Sequence, residues 1–157
     1  LRAGIGFDIH PLVEGRRLVL GGVTLKFERG LQGHSDADVL VHAVIDALLG
    51  ASALGDIGKY FPDTDPQYKD ISSIVLLERI RNILNDNRVT VENIDTTIIC
   101  EKPRLAAHTQ QMCRNIAKAL EINERQVSVK ASTTKGMGLI GNGEGIATIA
   151  VALVKKF

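Results

Sequence analysis

The chain has 157 residues, 45% of them apolar and 24% charged, the balance of one soluble globular domain over residues 1–157 rather than a disordered tail or two half-length domains. Nineteen basic residues against eighteen acidic ones give a net charge of +1, which leaves no footprint for nucleic acid, and two cysteines, Cys100 and Cys113, cannot build a disulfide scaffold. No apolar run approaches the roughly 18–20 residues that a membrane span needs.

Residues 2–10 alternate apolar side chains at Ala3, Ile5, Phe7 and Ile9, the period of a strand. Leu18 to Phe27 has β-type runs broken by Gly21-Gly22, which predicts a hairpin or a bent pair. Ser35-Asp-Ala-Asp38 places a hydroxyl at a helix N-cap with a carboxylate three residues on, so a helix is expected from there to about Gly50. A long loop rich in Gly, Asp and Pro follows. Ile74, Leu77, Ile80 and Leu84 give helical spacing to Ile71–Asn85, Thr90–Cys100 reads as a strand, and Leu105–Leu120 as a helix after Pro103. Val127–Ala131 and Ile146–Val154 are the last strands, separated by a glycine-rich loop. This order predicts an α+β fold, a mixed β-sheet with three main helices on one face. The other face would carry Ile5, Phe7, Ile146, Ile149 and Val151, too apolar for water, and copies of the same chain are the economical cover.

Function is hinted at by distribution rather than by totals. Eight of the ten aspartates and three of the four histidines lie in the first 70 residues. Asp8 and His10, two apart on the first strand, project from one face. His42 on the first helix points nearly opposite the stripe Leu40, Val44, Ala47 and Ala51, beside Asp38. One carboxylate and two imidazoles suit zinc with a fourth position open, although the same residues also occur as surface or capping pairs. His34-Ser35 precedes the helix, where free N–H groups favour an anion or where the pair simply caps.

Gly55 to Asp65 is a connection of the length that compact domains keep for function. Asp56 and Gly58 could hold ribose-like hydroxyls and Asp63 a polyol, or the aspartates could only make Asx turns. Ser132-Thr133-Thr134-Lys135, after a strand carrying Lys130, suits phosphate oxygens. Gly136 to Gly141 matches G-x-G-x-x-G, but only sixteen residues follow and Asn142-Gly-Glu-Gly145 breaks any helix, so a dinucleotide site is rejected. No Walker-type phosphate loop occurs, which argues against an ATPase.

Together G-F-D-I-H, H-S-D-A-D-V-L-V-H, D-A-L-L-G-A, G-D-I-G-K-Y-F-P-D-T-D, N-I-D-T-T-I-I, V-K-A-S-T-T and G-E-G-I-A resemble the 2-C-methyl-D-erythritol 2,4-cyclodiphosphate synthase family over nearly the whole chain. The resemblance implies a cytoplasmic bacterial protein, or alternatively a processed plastid-type one. Leu1 in place of Met leaves open a processed product, an unusual start or a segment of a longer polypeptide. It implies a homotrimer packed through its sheets, with active sites between subunits. The substrate would be 4-diphosphocytidyl-2-C-methyl-D-erythritol 2-phosphate, whose 2-phosphate attacks its own diphosphate, releasing CMP and closing the ring of the non-mevalonate isoprenoid intermediate.

By that resemblance Asp8, His10 and His42 hold zinc or another divalent cation and also meet the substrate. His34, Ser35, Phe61, Pro62, Asp63, Thr64 and Asp65 hold the methylerythritol phosphate end, and Asp56, Ile57 and Gly58 the ribose. The loop from Cys100 through Pro103, Arg104, Leu105 and Ala106 forms the cytosine pocket. Ser132, Thr133, Thr134 and Lys135 approach the diphosphate, and His34 and Thr133 stabilise the transition state. Intramolecular phosphoryl transfer needs no protein nucleophile, and none of the Ser–His–Asp or Cys–His sets is present. Two positions depart from the family. Lys135 stands where a glutamate commonly helps hold a second ion, magnesium or manganese. Asn142 stands where an arginine often lines a trimer-axis cavity that can take isoprenoid diphosphates. The alternatives are a zinc-dependent phosphoesterase, with water as the nucleophile, and a non-catalytic CDP-binding module with a structural metal.

Overall fold

A computed structural model describes residues Leu1 to Phe157. Strand β1 (Arg2–Val13) leads to β2 (Leu18–Leu20), β3 (Val23–Leu25), the two-residue β4 (Gly30–Leu31) and helix α1 (Val39–Ser52). The one-turn helix α2 (Ile57–Tyr60) lies in the long connection before α3 (Ser73–Asp86). Then come β5 (Val89–Ile99), α4 (Thr109–Leu120), β6 (Val127–Ser132), the one-turn α5 (Gly138–Gly141) and β7 (Gly145–Lys156). Five strands form one sheet in the order β4-β1-β7-β5-β6, with β5 and β6 parallel and the other neighbours antiparallel. The expected mixed sheet is therefore present. Along β7 Ile146, Ala150, Ala152 and Val154 are buried under the helices, while Ile149 and Val151 on the other face are exposed.

Helix α1 lies directly on the sheet because β1 has no side chains in its way. Alternate positions of β1 facing the helix are Gly4, Gly6, Asp8 and His10. A Cβ on Gly6 would sit 1.9 Å from the carbonyl oxygen of Ala43, and one on Gly4 2.2 Å from that of Ala47. Ala43, Ala47 and Ala51 complete the small-residue stripe, so backbone packs on backbone.

The helix starts three residues later than Ser35 would set it. Its N-cap is Asp38, whose side chain accepts from Val41 N at 3.1 Å and also from Gly21 N at 2.9 Å and Gly22 N at 2.8 Å. Gly21 and Gly22 both have positive φ, 57° and 71°, the two-residue turn of a true β2–β3 hairpin. Asp38 is thus fully buried and ties the hairpin to the helix. Burial first, then the Asp36 charge, pushes its carboxyl upward, against the three N–H donors.

Three further expectations change. Helix α1 is not a one-sided stripe: almost all its residues are buried, and only His42, Asp46 and Gly50, four apart, leave the core. The sheet covers one side, and α3 and the hairpin cover others. Ile146 belongs to the helix-covered face, since it has the opposite parity to Ile149 and Val151. Helix α4 begins at Thr109 rather than Leu105 because the preceding residues close a turn, His108 N to Leu105 O at 2.8 Å.

Gly6→Ala is expected to cost about 3 kcal/mol or more, since backbone must move to admit the Cβ. Asp38→Ala leaves three N–H groups without their acceptor and is expected to cost about 2–4 kcal/mol. Urea unfolding followed by circular dichroism measures both, and a loss under about 1 kcal/mol in either would contradict this packing.

Candidate metal centre and its cavity

The glycine-lined approach of α1 to β1 carries His42 over Asp8. His42 Nδ1 lies 3.1 Å and His10 Nε2 2.9 Å from the same Asp8 oxygen, Oδ2. One carboxylate oxygen and two imidazole nitrogens lie within 4.8 Å of one another, and all three residues are half-buried. The donor set fits a zinc-like ion.

The outer nitrogens are held as ligating imidazoles require. His10 Nδ1 donates to the Gln32 carbonyl at 2.7 Å. His42 Nε2 has Ser73 Oγ at 2.8 Å and Ser35 Oγ at 3.2 Å. Gly33 is a further requirement: a Cβ there would lie 2.9 Å from the Ala37 Cβ and 3.2 Å from the His10 ring.

Burial disfavours the Asp8 anion, but the hydrogen bonds from His10 and His42 outweigh it and lower its pKa from 3.8 to about 2. Burial likewise disfavours the His10 cation, but the bond and charge of Asp8 raise its pKa above 6.5. Asp8 therefore contributes stability above its unfolded value that is lost as pH falls toward 2. The His10 contribution is complete below 6.5 and is lost as pH rises through its raised value.

These ligands open onto a cavity of about 410 Å³ whose wall includes His34, Ser35, Ile57, Gly58, Phe61, Pro62 and Asp63. Tyr68 and Leu76 also line it, and no sequence signal singles them out. His34 Nε2 donates to the Asp65 carbonyl at 2.8 Å, joining the two segments expected to act together. The Asp56 and Asp65 carboxylates instead cap short helices, accepting from Lys59 N and Gln67 N at 3.0 Å each. Thr64, like Asp56 and Asp65, is not on the wall. At the start of α1 the Asp38 carboxylate accepts from Val41 N and Ser35 Oγ from Ala37 N. Asp46, one turn beyond His42, accepts from Ile57 N at 2.8 Å and so fixes the loop to the helix that carries the ligand. Its spacing of four from His42 is the signal that could have found it.

The remaining candidates form a separate group. Cys100, Pro103, Arg104, Leu105, Ala106 and Ser132 to Lys135 contribute nothing to the cavity wall. Glu101 joins their two loops: its Oε1 accepts from Thr134 N at 2.7 Å, Thr134 Oγ1 at 3.1 Å and Gly136 N at 3.3 Å. Leu105 and Cys100 are buried, and burial pushes the Cys100 thiol up to about 11. Thr133 is exposed and accepts from Lys135 N at 3.3 Å. Asp8 pairs with Thr148, which pairs with Ile98, which pairs with Ala131. Both groups therefore sit at one end of the sheet, with β1 and β6 three strand spacings, about 14 Å, apart. Gly136 to Gly141 forms the short helix α5 and a turn between β6 and β7, and Asn142 at its end is exposed.

In the metal-free protein His10 is expected to titrate above 6.5, and Asp8→Asn to move that midpoint down. An NMR titration of its imidazole nitrogens checks this, and an unchanged midpoint in the variant would exclude the Asp8 contribution.

The YgbB family model matches residues 1–155. The 2-C-methyl-D-erythritol 2,4-cyclodiphosphate synthase of Clostridium perfringens strain 13 is 55% identical over 156 residues, 99% of this chain and 100% of that protein. The synthase of the same name from Pelotomaculum thermopropionicum is 56% identical, covering 99% and 96%. Among solved structures, the bifunctional IspDF of Campylobacter jejuni superposes with a TM-score of 0.95 at 40% identity, over 99% of this chain and 42% of the longer one. The CDP complex of IspF from Plasmodium falciparum gives 0.86 at 31% identity, over 99% and 96%. Matched over residues 1–155 by the family model and over 156 residues by relatives 55–56% identical, the chain belongs to the YgbB family.

Proposed function

We propose that this chain is a 2-C-methyl-D-erythritol 2,4-cyclodiphosphate synthase, a phosphorus–oxygen lyase of isoprenoid biosynthesis. It closes 4-diphosphocytidyl-2-C-methyl-D-erythritol 2-phosphate into the cyclic diphosphate and releases CMP. The observation that carries this is the convergence of Asp8, His10 and His42 on one point of a cavity walled by His34-Ser35 and the 57–63 loop. A divalent cation, zinc by its donor set, would be held by Asp8 Oδ2, His10 Nε2 and His42 Nδ1 and would supply positive charge to a phosphate oxygen.

The residues of the chain supply position. Phe61 and Pro62 give an apolar wall for the methylerythritol carbon skeleton, and Asp63, Thr64 and Asp65 lie beside it, with the Asp65 carbonyl fixing the His34 ring. His34 and Ser35 offer an imidazole and a hydroxyl to its phosphate, Asp56, Ile57 and Gly58 flank the ribose, and Cys100 to Ala106 form the cytosine seat. Ser132, Thr133, Thr134 and Lys135 take the diphosphate, with His34 and Thr133 placed to stabilise the transition state. Holding both phosphates of one molecule in reach makes the transfer unimolecular, which removes the need for a protein nucleophile. Lys135 has no ligating atom while protonated, so a second ion, magnesium or manganese, would rest on phosphate and water instead.

Two such groups at one end of the sheet, only one of them on the cavity, point to a site completed by another copy. The uncovered sheet face carries Ile5 at 71% and Phe7 at 56% exposure, paired in register with Val151 and Ile149. A homotrimer packed through this face, one domain per subunit, would bury it and bring Ser132 to Lys135 of one copy to the cavity of the next. No helix is long and apolar enough to cross a membrane.

Incubation with the cytidyl substrate should release CMP and give a cyclic diphosphate by phosphorus NMR. A linear phosphate product would instead indicate a phosphoesterase. His42→Ala should lower turnover at least about 100-fold, and unchanged turnover would leave only a CDP-binding module. Phe7→Asp should convert trimers to monomers in light scattering and abolish turnover. Monomeric unaltered protein with full activity would refute the shared site.

A further inference from the structure

His42 must present Nδ1, not Nε2, toward Asp8 and any ion held there, and its surroundings contain a device that decides this. Two groups in a row lead away from the ring. His42 Nε2 is 2.8 Å from Ser73 Oγ, and Ser73 Oγ in turn donates to Asp36 Oδ1 in a short hydrogen bond. A serine hydroxyl can either donate to or accept from an imidazole, so the first contact alone leaves the tautomer open. Asp36 closes the question. An ionised carboxylate only accepts, so it takes the Ser73 proton, and the serine lone pair is left facing His42. Nε2 must then carry a proton to complete the bond, which leaves Nδ1, the nitrogen facing Asp8, as the one whose pair an ion can take in place of any proton it shares with Asp8. We infer that Ser73 and Asp36 form a relay that fixes His42 as an Nδ1 ligand, an extension of the metal reading made above.

Asp36 is itself held for the task. Its Oδ1 accepts from Asp38 N at 3.1 Å and its Oδ2 from Ser73 N at 3.0 Å, so the loop before α1 and the first turn of α3 grip one carboxylate. Ser73 is fully buried at the first position of α3, and its own helix has no side-chain cap from Ser72. Two elements therefore set the ring of a third. The relay also assigns Ser35: with Nε2–H given to Ser73 and Ser35 Oγ accepting from Ala37 N, the Ser35 proton is free to turn to the cavity. Ser73 and Asp36 are positioning residues, since neither is on the cavity wall.

A role confined to capping α3 would change stability and leave the imidazole alone, so the test reads the ring. In nitrogen-15 histidine-labelled protein loaded with zinc, long-range NMR correlations should show His42 metallated at Nδ1 with a slowly exchanging Nε2–H. Ser73→Ala should weaken zinc binding by calorimetry about 10- to 100-fold and expose Nε2–H to fast exchange, and Ser73→Thr should restore both. Asp36→Ala should act in the same direction, because Ser73 is then free to donate to Nε2. Metallation through Nε2 in the unaltered protein overturns the relay without recourse to any variant. So does a Ser73→Ala protein with Nε2–H still protected and zinc affinity within about threefold of the unaltered one. An unaltered chain that binds no zinc would instead fail the metal reading itself, and the two failures are told apart by that first titration.

Discussion

The contact on which the rest depends is that of α1 with β1 across Gly4 and Gly6. There the Ala43 and Ala47 carbonyls stand where a strand would ordinarily project side chains. The next two positions on the same face of β1 are Asp8 and His10, and the residue before Ala43 on the helix is His42. Close backbone packing and the metal centre are therefore consecutive parts of one interface. The helix can approach only where glycine allows it, and the ligands begin where the glycines stop. Because α1 is buried on nearly every side, His42 has little freedom to drift, and Asp46 on the next turn transmits the same rigidity to the 57–60 helix.

The front-loaded aspartates have divided tasks. Only Asp8 and Asp63 present themselves to the cavity, while Asp38, Asp56 and Asp65 cap helices and Asp46 holds a loop N–H. Asp36 binds Ser73 through both its oxygens. A cluster that looks like metal-binding capacity in the sequence is mostly the scaffold that immobilises three ligands. Asp8 remains anionic despite burial because two imidazoles face one of its oxygens, and the same geometry raises the pKa of His10. A cation entering there would meet an ionised carboxylate rather than an uncharged void.

The sheet shows the same economy. One face takes the helices; the other, with Ile5, Phe7, Ile9, Ile149 and Val151, has no cover within the chain. The substrate-type loops at 100–106 and 132–135 are organised, through Glu101, yet they lie beyond β7 and β5 from the cavity. Burial of the apolar face and completion of the site become a single requirement in the proposed trimer.

Much of this was legible in the order of residues. Period-2 alternation marks β1 and period-3.6 spacing marks α3, D-x-H on a strand places two ligands on one face, and Gly21-Gly22 announces a hairpin, because these signals are local and governed by backbone geometry. The motifs also carried the family, which the comparisons bear out. What the sequence could not determine was decided between segments distant along the chain. Ser35 and Asp38 are both good caps, and Asp38 prevails because the Gly21 and Gly22 N–H groups come from a hairpin that only the tertiary fold delivers. Ile146 differs in parity from Ile149 and Val151, but which parity of β7 meets the helices is set by the fold. The partners of His42, Ser73 at |i−j| = 31 and Asp8 at 34, carry no local pattern at all. Residue types set which chemistry was available, and long-range packing set which atoms could meet.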